Sequence, residues 1–353
     1  MTGRERLLAA ALGEPVDATP VWFMRQAGGR LARYTSLRAR HGVLEIAKTP
    51  ALCAEVTVAA VEELGVDGAV LFADIMLLAE ALGINVELTP AGPVIAAPVR
   101  SRTDVERLRS VDPDADLGFV LEAIRRVRTA LGERAAVIGL VGGPFTLAAY
   151  LLEGAPSRDQ VHARAVMHGA PDVWHALLAR IAAATTAYLR AQAAAGADVV
   201  QVFDTWAGSL TPDEYAAFVA PYARQVVAGA PVPTVQYVAR SSALLETIAA
   251  DGATVIGIDS RQSLAAARDR LGRARPVQGN LDPALVLAGS AAARAGARRV
   301  LDEAGAVGHL LNLGEAAPRD ADPEVLRDLV SFVHEVSARE GSAWTAQPVG
   351  AGR

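Results

Sequence analysis

Gly68-Ala69-Val70-Leu71-Phe72-Ala73-Asp74 is a continuous apolar run that ends in a carboxylate. No polar residue alternates along it, so an extended segment here meets apolar surroundings on both faces, as a strand covered by helices does. Seven further runs of this kind lie near residues 21, 137, 200, 236, 256, 277 and 311. Helical signals follow each one. Thr49-Pro50 caps a helix to about Leu64, with proline at the first helical position, and Thr211-Pro212-Asp213-Glu214 opens another to about Gly229. Continuous strands alternating with helices give a parallel sheet, and eight such units predict one closed (β/α)8 TIM barrel. No G-x-G-x-x-G follows the first strand, and no P-loop lysine occurs. The barrel is expected over residues 1–340, its last helix running from Asp322 to Ala338, with a flexible tail over 341–353. Residues 76 to 100 read as a mixed segment with a small helix and Gly/Pro turns.

The 353 residues, 52% of them hydrophobic, are ample for a large core, and the net charge is -5. An acidic chain without a basic cluster interleaved with aromatics does not read as a nucleic-acid binder. The single cysteine, Cys53, excludes a disulfide framework within the chain and any cysteine-rich metal site. Met1 to Leu12 mixes Arg4, Glu5 and Arg6 with apolar residues and has no signal-peptide pattern. No apolar run approaches the roughly 20 residues that span a bilayer. A cytoplasmic protein without membrane partners is the expectation.

In a barrel of this type chemistry collects where strands hand over to the following loops. The residues there are Arg25 and Gln26, Asp74, the segment Gly142 to Tyr150, Asp204 and Thr205, Tyr237, Asp259, Gln278 and Asn280, and Glu315. Arg25 ends a short apolar strand, and Arg30, Arg33, Arg38 and Arg40 follow it. A guanidinium matches a carboxylate with a planar fork of donors and keeps its charge. The later arginines equally suit a solvated helix face. Asp74 lies among apolar neighbours, where a carboxylate needs donors or a cation. It either caps the following turn or receives ligand N–H groups and balances a cationic intermediate. Asp204 has the same two options, and Tyr150 on its alanine-rich helix suits a core as well as a site. No histidine stands at a strand end, and no three His or Cys ligands converge. Neither a zinc site nor an organic cofactor is expected.

Six stretches, taken together, resemble the uroporphyrinogen decarboxylase family: Pro20 to Gly28 (PVWFMRQAG), Leu71 to Ile75 (LFADI), Gly142 to Gly154 (GGPFTLAAYLLEG), Phe203 to Gly208 (FDTWAG), Val277 to Pro283 (VQGNLDP) and Gly308 to Gly314 (GHLLNLG). They span nearly the whole chain, in order. The resemblance implies a single barrel, a homodimer, no metal or cofactor, and removal of acetate carboxyls from a tetrapyrrole. It assigns catalytic roles to Asp74, Arg25 and Tyr150. Asp74 would take pyrrole N–H groups and stabilise the protonated ring, and Arg25 would hold the substrate carboxylate. It places Gln26, Ala27, Gly28, Arg30, Arg38, Phe72, Thr205 and Glu315 around the substrate.

Three positions leave the family pattern. Where the family has R-Q-A-G-R-Y-L-P-E-Y, Gly29 takes the place of the second arginine, and Arg30 comes one step later. Where it has N-L-G-H-G, this chain has Asn312-Leu313-Gly314-Glu315-Ala316, a carboxylate in place of a histidine. Thr205 replaces a serine and keeps the hydroxyl. The first two changes lower the positive charge offered to a polyanion, which suits a smaller pyrrole- or indole-type acetate. A rearranged loop is a second expectation, with Arg30 and Arg33 restoring the tetrapyrrole site and Glu315 pairing with one of them, and a non-catalytic tetrapyrrole-binding homologue is a third.

Overall fold

The computed structural model describes residues 1–89 and 92–344, with side chains described to residue 338. In chain order its strands are β1 (Gly68–Val70), β2 (Val86–Thr89), β3 (Gly92–Ile95), β4 (Ala136–Gly142), β5 (Val199–Phe203), β6 (Thr234–Tyr237), β7 (Val255–Gly257), β8 (Val277–Gln278) and β9 (His309–Leu310). Seven of them form one parallel sheet in the order β1-β4-β5-β6-β7-β8-β9. The eighth stave is the segment around Val21, reduced to a single parallel bridge with Leu311. Trp22 N donates to Leu311 O at 3.3 Å and Leu311 N to Pro20 O at 2.9 Å, while on the other side Asp67 N donates to Val21 O at 2.8 Å. Pro20 has no N–H to extend the ladder, and the Val21 N–H goes to the Asp67 carboxylate at 2.8 Å. The ring closes, and the expected (β/α)8 barrel is the architecture found.

The interior is not purely aliphatic. Trp22 Nε1 donates to Gln278 Oε1 at 3.0 Å, Gln278 Nε2 to Gln201 Oε1 at 3.0 Å, and Gln201 Nε2 to Met24 Sδ at 3.3 Å. β8 and β5 are not neighbours in the sheet, so this chain crosses the lumen and satisfies amides that burial would otherwise penalise. At the opposite end from the mouth, helix Gly3–Ala11 packs against β4 and β9. Its arginines serve buried carboxylates there: Arg6 pairs with Asp67 at 2.6 Å and Arg4 with Asp198 at 2.9 Å.

Several local expectations change. Helix Pro50–Leu64 has proline at its start, but Thr49 makes no side-chain cap. The helix expected from Thr211 to Gly229 is two, Pro212–Phe218 and Ala220–Ala228. Pro221 cannot donate into the preceding turn, and the backbone kinks at Val219. The mixed segment at 76 to 100 contains an antiparallel hairpin of β2 and β3, docked by Ile95 N on Gly154 O at 2.7 Å. The last helix runs Pro323–Trp344, past the expected stop at Ala338. Of the expected tail, residues 345–353 lie outside the described residues.

Candidate active site at the barrel mouth

The polar side chains at the mouth divide into those with partners inside the protein and those without. Arg25 heads the second group. Its backbone is left-handed, with φ 62°, a region that strains a side-chain-bearing residue by about 1–3 kcal/mol. The neighbouring chain holds it there. Met24 N donates to Asn312 Oδ1 at 3.2 Å, and Met24 O accepts from Ala317 N at 2.8 Å. Buried Gln26 receives Phe23 N on its Oε1 at 2.9 Å and donates through Nε2 to Gly68 O at 2.7 Å. The exposed Arg25 guanidinium has no hydrogen-bond or ion-pair partner among the described residues.

Asp74 sits half-buried in the turn after β1, with Met76 N donating to its Oδ1 at 2.8 Å. This is the turn-capping option, and it occupies one oxygen. Burial pushes the Asp74 carboxyl above the usual carboxylate range, opposed by the Met76 N–H and the charge of Arg25. Tyr150, in helix Pro144–Glu153, is pushed up to about 12 by burial, with the Asp74 charge adding and the Arg25 charge opposing. Each of the three therefore lies in the electrostatic reach of the other two. The Tyr150 ring rests on Trp206, centroids 4.0 Å apart and planes 31° apart, and Phe72 meets Tyr34 at 5.6 Å. Thr205 is half-buried beside Trp206 in the turn after β5.

Asp204 belongs to the first group. It is fully buried and caps the Tyr150 helix from outside, accepting from Thr146 N at 2.7 Å and Phe145 N at 3.4 Å. Burial raises its carboxyl to about 6, opposed by those two N–H groups. The contact is close enough that a Cβ on Gly143 would lie 2.3 Å from the Asp204 Cβ, which is why glycine stands immediately before Pro144. Thr146 Oγ1 also accepts from Trp206 N at 3.1 Å, so one clamp sets both the helix and the ring stacked on Tyr150. Asp259 accepts Arg261 N at 2.8 Å and Ser241 N at 3.1 Å. Asn280 donates to Asp259 O and Gln262 O, and Tyr237 to Gly314 O at 2.8 Å.

Among the expected site residues, Arg25, Asp74 and Tyr150 come together, with Phe72 and Thr205 at turns of the same half of the mouth. Gln26 and Ala27 are buried in the loop, and Gln26 is a brace whose donors and acceptors are taken. Gly28 turns the chain, accepting from Leu31 N at 3.3 Å. Arg38 donates to the His41 carbonyl at its own helix end. Arg30 is exposed without an ion-pair partner among the described residues. The expected pairing of Glu315 with Arg30 or Arg33 does not occur. Glu315 pairs with Arg261, and Arg33 with Glu55 at 3.2 Å. The reason is placement: Glu315 follows β9 beside the β7 loop, whereas Glu63 holds the backbone of Ala32 and Arg33 away from it at 2.9 and 3.1 Å. The sequence reading missed Trp206 and Arg261. Their signal was position, each lying two residues after a strand-terminal aspartate. Among the described residues, no three His, Cys, Asp or Glu side chains converge as a metal site would.

The fold and this mouth define a (β/α)8 barrel with an arginine, a carboxylate and a tyrosine gathered at the C-terminal ends of its strands. The family model for uroporphyrinogen decarboxylase (URO-D) matches residues 2–336, and the chain belongs to that family. It is 43% identical to the uroporphyrinogen decarboxylase of Trichlorobacter lovleyi, over 95% of this chain and 99% of that protein. It is 45% identical to that of Nocardia farcinica, over 93% of this chain and 95% of that protein. Among solved structures, a methyltransferase from Methanosarcina mazei shares the fold with a TM-score of 0.80 and 22% identity, covering 95% of this chain and 99% of the other.

Proposed function

We propose that this chain decarboxylates the ring-attached acetates of uroporphyrinogen III to give coproporphyrinogen III, without metal or organic cofactor. The observation that carries the reading is the clustering of Arg25, Asp74 and Tyr150 at the mouth, each with a charged or hydroxyl group left for a ligand. Direct loss of CO2 from a pyrrole-acetate would leave a carbanion. Protonating the electron-rich ring first makes it an iminium, which accepts the electron pair of the breaking C–C bond as CO2 departs. A proton then converts the exocyclic carbon to methyl, and the ring proton leaves, so that one proton replaces one CO2 overall. Asp74 faces the ring N–H groups with the free part of its carboxylate and stabilises the ring cation in a site with little water. Arg25 holds the acetate. Tyr150, whose hydroxyl is pushed up to about 12 and so stays neutral, offers a hydrogen-bond donor rather than a charge.

The role of Asp74 requires its anion. Its carboxyl titrates above the ordinary range, so activity falls on the acid side at a higher pH than an unperturbed aspartate would give. Anaerobic incubation with uroporphyrinogen III, following coproporphyrinogen III, is the deciding experiment. A second reading rests on Gly29 and on Glu315, which sets a carboxylate at the mouth: a smaller pyrrole- or indole-acetate as substrate. Turnover of such a compound with none of uroporphyrinogen would replace the first reading by the second. A cytoplasmic homodimer accompanies both readings, and sedimentation would test the dimer. No helix among the described residues is long and apolar enough to cross a membrane.

A further inference from the structure

The sheet order puts β7 four staves from β1 whichever way round the ring one goes, counting the Val21 segment as a stave. The loop after β7 therefore lies across the mouth from Asp74. Its backbone is fastened, since Asp259 accepts Arg261 N at 2.8 Å and Ser241 N at 3.1 Å while Asn280 Nδ2 donates to Asp259 O at 2.9 Å. The Arg261 side chain stands 52% exposed and pairs with Glu315, itself 38% exposed. The backbone beneath Glu315 is fastened as well, by Tyr237 on Gly314 O at 2.8 Å and by Ala317 N on Met24 O at 2.8 Å. Two anchored loops thus carry a side-chain pair at the rim, and an exposed pair of this kind parts readily for a better ligand.

A small arylacetate seated on Asp74 does not span the mouth. A tetrapyrrole with carboxylates around its whole rim does, and needs a cation on the far side. Resting on the decarboxylase reading above, we infer that Arg261 is a specificity-determining residue that binds a peripheral carboxylate of a macrocyclic polycarboxylate, with Glu315 holding the guanidinium until the substrate takes its place. The exchange keeps the guanidinium in a charge-assisted pair throughout and sends the Glu315 carboxylate to water.

The test is anaerobic initial rates on uroporphyrinogen III for the wild type, Arg261→Gln and Glu315→Gln, with thermal midpoints for all three. Arg261→Gln is expected to raise KM about tenfold, the loss of one charged hydrogen-bonding partner, with the effect on KM rather than kcat. Glu315→Gln, which removes only the internal competitor, is expected to lower KM by up to about fivefold. An Arg261→Gln protein of wild-type stability whose KM stays within twofold overturns the inference. Should that variant lose stability, Glu315→Gln carries the test, and an unchanged or raised KM there overturns it equally. Wild-type protein that leaves uroporphyrinogen untouched overturns the decarboxylase reading and the inference with it. Turnover with an indifferent KM sinks the inference alone.

Discussion

The two halves of the barrel mouth are built from similar residues and used differently. On the side of Asp74, the arginine, the carboxylate and the tyrosine keep hydrogen-bonding capacity unspent. Across from it, Tyr237, Asp259 and Asn280 are bonded to backbone groups, and Arg261 is paired with Glu315. The difference teaches that residue type at a strand end does not identify a catalytic group. A strand-terminal aspartate takes a single backbone N–H at 74, caps a helix at 204 and anchors a loop at 259. What separates them is how many backbone N–H groups already claim the carboxylate.

The largest effect expected from this contrast is at Asp74. Asp74→Asn removes the charge facing the ring cation and should lower kcat by about 10³-fold; a rate within a factor of three in a steady-state assay would merge the two halves into one. Arg25→Gly comes next. It should lose about a hundredfold in kcat/KM. The thermal midpoint should hold or rise, because relief of about 1–3 kcal/mol of left-handed strain exceeds about 0.5–1 kcal/mol of added chain entropy. Calorimetry showing a clear fall would mean that Arg25 is a structural residue after all.

Restoring the family's arginine at Gly29 should fail for a reason invisible in the sequence. Gly29 has φ +59°, and a Cβ there would lie 2.9 Å from the Arg319 carbonyl oxygen. Gly29→Arg should therefore destabilise by about 2 kcal/mol in urea unfolding, whereas Glu315→His meets no such backbone constraint. Equal stability of the two variants would show that the loops can part. The smallest effect belongs to Asp204→Asn, about 1 kcal/mol for a weakened cap. The folded-state carboxyl titrates near 6 against an ordinary 3.8, so the folded protein holds the extra proton between those values. This group's contribution to stability therefore falls as pH rises through that window. The stability gap between wild type and Asp204→Asn should narrow from pH 4.5 to pH 7, and a widening gap would contradict the assignment.

Much of this was legible in the chain. Uninterrupted apolar runs such as Gly68 to Phe72 announce strands buried on both faces, and their number and alternation with helices give the barrel. Asp74 could be singled out because a carboxylate after Phe72-Ala73 has to be explained. The losses came from partners distant in sequence. Gln26 looks like a ligand donor until its bond to Gly68, 42 residues on, is seen, and the partner of Glu315 lies 54 residues away. The β2–β3 hairpin was hidden by short strands, whereas the run at Val21 reads as a strand and closes the ring through a bridge one residue long. The departures at Gly29 and Glu315 share one loop: the segment that carries Glu315 continues to Arg319, whose carbonyl oxygen would lie 2.9 Å from a Cβ at 29.

The seam at Val21 has a consequence for how the enzyme comes into being. Besides its bonds to Asp67, Val21 is bridged to Leu311, and the acceptor for Met24 N is Asn312. Translation must therefore reach Asn312 before the segment from Val21 to Arg25 can be locked in its working shape. Fragments released early lack the groups that hold Arg25 in its left-handed turn. The loop shape that sets Arg25 at the mouth is thus completed by residues nearly three hundred positions further on.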